Sequence, residues 1–185
     1  MKKILALAVI VAACSTSVFA QNIGNLYGEA AYSMVSSKDT SKDSLGTFKP
    51  TAGRFTLGTT LTENVAVEGF LTQGFSDSSI VSGVVNVNLK MKNGYGFAVR
   101  PFLNISNETE LFGRIGLTRT EAEATASAKG ISSTASSKTT NTLYGVGLAY
   151  KITDDIKAIV DYTQLNNKDD HDVSMISIGL RYNFK

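Results

Sequence analysis

The residues best equipped for chemistry are few. His171 is the single histidine, set in Lys168-Asp169-Asp170-His171-Asp172, three positions before Ser174. An imidazole near a serine and carboxylates suggests a hydrolase, with the histidine as base and the serine as nucleophile. The same acidic run would also hold a divalent cation weakly. The rest of the chain does not supply what either reading needs. There is no second histidine, the only cysteine is Cys14, and no positioned triad accompanies the pair. The run therefore reads as a solvated surface turn. No catalytic residue, metal ligand or cofactor is expected, and the chain reads as a non-enzyme.

A second group is more ordered. Glu29, Arg54, Glu68, Arg100, Glu110, Arg114, Asp161 and Arg181 each interrupt a stretch that is otherwise apolar or small on alternate positions. They are four carboxylates and four arginines. Brought together away from water they must pair, and arginine with carboxylate has the best fork geometry for it. Such a cluster would line a polar pore or proton path, or it would plug a narrow interior with salt bridges and water. The balanced signs favour the plug.

Whether these residues meet depends on the elements that carry them. Ser174 to Phe184 alternates cleanly. Ser174, Ile176, Ile178, Leu180, Tyr182 and Phe184 fall on one face, and Met175, Ser177, Gly179, Arg181 and Asn183 on the other. Seven earlier segments repeat the pattern: Leu26 to Val35, Arg54 to Leu61, Val65 to Thr72, Gly94 to Leu103, Thr109 to Thr120, Thr142 to Ile152 and Ile156 to Leu165. Each puts its charged residues opposite its large apolar ones. Pro101 lies within the fourth segment and predicts a bulge or kink, because proline cannot donate a ladder hydrogen bond. Two prolines, sixteen glycines and abundant Thr, Ser, Val and Tyr suit an all-β chain.

The connections alternate in length. Ser36 to Lys49, Gln73 to Asn93, Glu121 to Thr140 and Asn166 to Asp172 are long and polar; the three between them are short turns. Val81 to Met91 alternates and extends the following strand. Glu121 to Thr140, rich in Ala, Ser, Thr and Lys, reads as a mobile loop of low hydrophobicity, with an adhesive loop as the functional reading. Long loops at one end and tight turns at the other are the asymmetry of an up-and-down, eight-stranded antiparallel transmembrane β-barrel. The interior of such a barrel is just wide enough for side chains to fill it.

The N-terminus carries an export signal. Lys2 and Lys3 precede the apolar run Ile4 to Ala13, which is too short to span a bilayer as a helix. Val18-Phe19-Ala20 places small residues for cleavage after Ala20, so residues 1–20 read as a signal peptide and 21–185 as one barrel domain. Val11-Ala12-Ala13-Cys14 is the rival, a lipoprotein box with Cys14 as the lipidation site. Removing Lys2 and Lys3 leaves sixteen basic residues against sixteen acidic ones, which argues against nucleic acid as a partner.

An exported chain ending in such a strand resembles a bacterial outer-membrane barrel. The likeness is fullest from Tyr95 to Phe184. Tyr95-Gly96-Phe97 with Arg100-Pro101-Phe102, then Leu111-Phe112-Gly113-Arg114-Ile115-Gly116, Leu143-Tyr144-Gly145-Val146-Gly147-Leu148 and Arg181-Tyr182-Asn183-Phe184 carry it. In these the chain resembles the opacity and attachment-invasion (outer membrane protein X-like) superfamily. The resemblance implies a C-terminal assembly signal at Leu180, Tyr182 and Phe184, although Lys185 follows the phenylalanine. It also implies outer-membrane lipid, lipopolysaccharide and the barrel-assembly machinery as partners. Members are adhesins, invasion factors, complement-resistance proteins or barrels of unknown role. The expectation is a structural or surface-interaction barrel whose extracellular loops meet host or neighbouring-cell ligands. A narrow porin-like channel for small solutes is the alternative, and an outer-membrane lipid enzyme a distant third.

Overall fold

Alternating strands with one apolar face must hide their unpaired edges, and in a membrane only closure does so. The protein, a computed structural model, is described over residues 24–39, 47–82, 85–128, 131–166 and 171–184. The export segment 1–20, its cleavage point after Ala20, Cys14, and Lys168 to Asp170 lie outside the described residues. Ten strands run in chain order: β1 (Leu26–Asp39), β2 (Thr47–Phe48), β3 (Thr51–Thr62), β4 (Val65–Ser76), β5 (Ser78–Ser82), β6 (Val85–Asn104), β7 (Thr109–Ala128), β8 (Ile131–Lys151), β9 (Ile156–Asn166) and β10 (His171–Asn183). β1, β3, β4 and β6 to β10 pair each with its neighbour, all antiparallel, and β1 closes on β10. β2 and β5 are short additions to β1 and β6. The result is a closed, eight-stranded, up-and-down barrel.

The faces follow the sequence pattern. Leu57, Phe97 and Ile178 stand outside, each more than 60% exposed, while Arg100 and Phe112 inside are 1% exposed. This inverts a water-soluble fold: the apolar belt is outermost and the charges are core. Inward glycines make room for inward aromatics. Gly147 is paired with Phe112, and a Cβ on it would lie 2.4 Å from the Phe112 ring. A Cβ on Gly58 would lie 2.3 Å from the Tyr27 ring.

Three expectations are corrected. Glu121 to Thr140 does not form a loop: β7 and β8 continue through it as one ladder, from Glu121↔Lys138 to Ala128↔Ile131. Alternation explains it, with Ala122, Ala124 and Ala126 on one face and Glu121, Glu123 and Thr125 on the other. Pro101 causes no bulge. The ladder keeps one register from Val99↔Ile115 to Phe102↔Phe112, with the rungs of Arg100 and Pro101 to β7 left out and Gly113 lying against the proline ring. The irregularity lies between Met91 and Asn93 instead. Third, His171 and Asp172 begin β10 rather than ending a loop, and Ser78–Ser82 folds back on β6 as a hairpin.

β8 has 21 residues and β9 has 11. Their ladder ends at Thr142↔Asn166. A tilted strand crosses a membrane in about 9–11 residues. β6, β7 and the first half of β8 therefore stand well clear of the barrel. Above Thr142, β8 has no neighbour on its β9 side among the described residues.

Candidate functional site

All eight charged residues singled out from the sequence point inward and are buried. β1 supplies Glu29, β3 Arg54, β4 Glu68, β6 Arg100, β7 both Glu110 and Arg114, β9 Asp161 and β10 Arg181. Arg114 is the hub. Its Nε donates to Glu68 Oε2 at 2.6 Å and one terminal nitrogen to Asp161 Oδ2 at 2.9 Å; the other donates to Glu29. Arg181 grips Glu29 Oε1 through two nitrogens at 2.9 and 2.7 Å and reaches Glu110 Oε1 at 3.2 Å. Arg54 takes Asp161 in a two-pronged pair. Arg100 lies 2.7 Å from Glu110 and 3.3 Å from Glu68, but at angles that make ion pairs without hydrogen bonds.

Neighbouring groups complete the set. The Tyr27 hydroxyl donates to Glu68 at 2.8 Å, and Thr163 donates to Asp161 at 3.1 Å. The Arg100 guanidinium carbon sits 3.9 Å from the Phe112 ring centre, and that of Arg181 sits 4.5 Å from Tyr27. Sequence reasoning missed one member. Lys157, on the inward face of β9, donates to Glu110 at 2.7 Å. Its inward position was the available signal; its place near the strand end hid the partner.

Toward the long hairpins, Ala98, Leu143 and Leu165 pack with Phe70 and Val173 as an apolar layer. Beside Arg54 and Thr56 is an internal cavity of about 20 Å³, room for a single water molecule. Arg54 Nε and Thr56 Oγ1, both without a protein hydrogen bond, belong to residues that line it. The chemistry the cluster displays is mutual neutralisation of its charges. His171 and Ser174 share β10. Among the described residues no group of three or more His, Cys, Asp or Glu is placed to hold a metal.

The outer face carries the remaining sequence candidates. Leu180, Tyr182 and Phe184 lie in line on the lipid side, with Tyr182 and Phe184 edge to face at 5.3 Å. The Phe184 amide donates to Leu26 O at 2.9 Å, tying the chain's end to β1. Above the apolar belt, charges pair in the open: Lys90 with Asp77, Lys92 with Glu123 and Lys138 with Glu121. The Lys92 ammonium lies above its usual range and the Glu123 carboxyl below its own, each chiefly through the hydrogen bond they share.

A family profile described as the outer membrane protein β-barrel domain matches residues 6–184. The chain belongs to this family. It is accordingly a bacterial outer-membrane barrel. No curated protein matches it in sequence. Among solved structures it is similar to the attachment invasion locus protein Ail of Yersinia pestis, with a TM-score of 0.62 at 19% identity, covering 88% of this chain and 99% of that one. It is similar to Neisserial surface protein A, with a TM-score of 0.61 at 14% identity, covering 86% and 97%. A de novo designed transmembrane β-barrel gives 0.52 at 13% identity, covering 89% and 98%. At such identities the likeness is one of fold.

Proposed function

We propose that the protein is a surface-interaction barrel: the interior is a structural plug, and the β6–β7–β8 sheet above the membrane is the working part. The observation that carries this is the bare edge of β8. Residues 132–138 are exposed on both faces, and above Thr142 the β9-side edge has no strand among the described residues. An unpaired edge offers a row of backbone donors and acceptors to an extended segment of another chain, which adds as a further strand. The side chains there are small and mostly neutral, so the edge is open to approach. The partner is an extended polypeptide segment at a host or neighbouring-cell surface. The paired charges and the apolar layer weigh against the solute-channel alternative. In the same reading residues 1–20 are a cleaved export signal, and Leu180, Tyr182 and Phe184 are the strand that the assembly machinery reads.

The test replaces residues 121–140 with a tight turn. A barrel that still shows heat-dependent gel mobility but has lost cell adhesion is the expected result. Full adhesion by the shortened barrel, together with solute-selective conductance in liposomes abolished by Arg100→Ala, would replace this reading with the channel.

A further inference from the structure

Tyr95 borders two depressions at once. Below it, a furrow of about 840 Å³ runs over the lipid-facing wall, floored by Gly69 and walled by Leu57, Leu71 and Tyr95. A Cβ on Gly69 would meet nothing within 4 Å, so the furrow is open there. Above it, a recess of about 410 Å³ is lined by Asn93, Tyr95, Arg119, Glu121 and Lys138. Three cross-strand rows mark the change. Gly69↔Phe97↔Leu117 is apolar, Leu71↔Tyr95↔Arg119 is mixed, and Asn93↔Glu121↔Lys138 is polar. Successive rows on one face are about 6.7 Å apart along a strand. An exposed arginine thus sits one row above the last lipid-facing leucine of β7.

The charges on this face are unequal. Lys90, Lys92 and Lys138 each have a carboxylate partner. Arg119 has none among the described residues. With Glu121 answered by Lys138 at 3.3 Å, the recess keeps one net positive charge. A guanidinium presents a planar fork that fits phosphate oxygens two at a time, and a basic side chain at this depth attracts anionic lipid. A free anion would use the recess alone and leave the furrow below it without purpose.

We propose that this wall holds one phosphate-bearing lipid of the outer leaflet, its acyl chain in the furrow over Gly69 and its phosphate on Arg119, flanked by Lys138. The site rests on the barrel standing in the outer membrane but not on the β8 edge being an interaction surface. The test uses the full chain refolded in nanodiscs that contain diphosphoryl lipid A or the same glycolipid with its phosphates removed, with bound lipid counted by native mass spectrometry. The wild type should retain the phosphorylated form preferentially. Arg119→Gln should cut that preference about fivefold, the worth of one basic side chain near a lipid surface. Gly69→Leu should lower retention of both lipids and leave their ratio unchanged, separating tail from head. Equal retention of both lipids by the wild type, or an unchanged ratio in Arg119→Gln, would overturn the site. Displacement of the phosphorylated lipid by an equal concentration of inorganic phosphate would overturn it too, in favour of a free-anion recess. Heat-dependent gel mobility reports insertion separately: a chain that does not insert overturns the membrane reading and the site together, while an inserted barrel without lipid preference overturns the site alone.

Discussion

β7 carries carboxylates at both ends, and they lead different lives. Glu110, near its start, is sealed in the barrel and touched by Arg100, Arg181 and Lys157. Glu121 and Glu123, further along, are half-buried on the outer face of the hairpin and have one more exposed lysine each. The chemistry is the same and the solvent differs. Inside, removing one partner strands a charge with no bulk water to take the partner's place, so every member depends on the others. Outside, water replaces a lost partner at once, and an isolated pair contributes little. The same strand is therefore held by its charges at one end and merely decorated by them at the other. That division lets the outer sheet change its side chains without disturbing the barrel.

The strongest way to break this contrast is at the hub. Arg114→Leu leaves Glu29, Glu68 and Asp161 short of a partner and should destabilise the barrel by about 3–5 kcal/mol, read as a lowered urea midpoint. Glu68→Leu should act in the same direction by freeing Arg114 and Arg100. Midpoints unchanged in both would mean the interior is as wet as the outer sheet. A smaller effect is expected from packing: Gly147→Val drives a methyl into the Phe112 ring and should cost about 1–3 kcal/mol in the same measurement. Outside, Glu121→Gln should shift the midpoint by no more than about 0.5 kcal/mol. A shift comparable to that of Arg114→Leu would erase the distinction between the two ends of β7. The finest effect is one of titration. The Lys92 hydrogen bond holds Glu123 below the ordinary carboxylate range, so the pair's contribution is present above that range and is lost as pH falls through the folded Glu123 value. A carboxyl NMR titration should show Glu123 low in the native barrel and back in the ordinary range in Lys92→Gln.

The barrel was legible because its alternation has high contrast. Leucine against arginine, or tyrosine against glutamate, fixes both the strand and its faces. The outer hairpin has the same period at low contrast: alanine alternating with Glu, Thr and Ser buries almost nothing, so its signal lies in strictness rather than hydrophobicity. Of the bulge or kink expected at Pro101, the bulge is absent, since the register is the same on both sides of it, and a strand read alone does not reveal that register. The same limit applies to the network. Sequence placed eight charges inside but could not say that Arg114 meets three acids while Arg54 meets one, since those pairings cross the lumen and depend on register around the whole barrel. Arg119 escaped notice because an exposed arginine looks ordinary until the charges around it are seen to be taken.

The closing ladder runs unbroken from Tyr27↔Asn183 to Asp39↔His171. Its ion pair, Glu29 with Arg181, joins positions 152 residues apart. Contacts so distant along the chain are the slowest to form, since the entropy of closing the intervening loop must be overcome before they give anything back. Until β10 arrives, β1 keeps a bare edge and Glu29 lacks one of its two arginines. A chain halted before β10 is therefore an open sheet with an incomplete core and nothing to hold it shut.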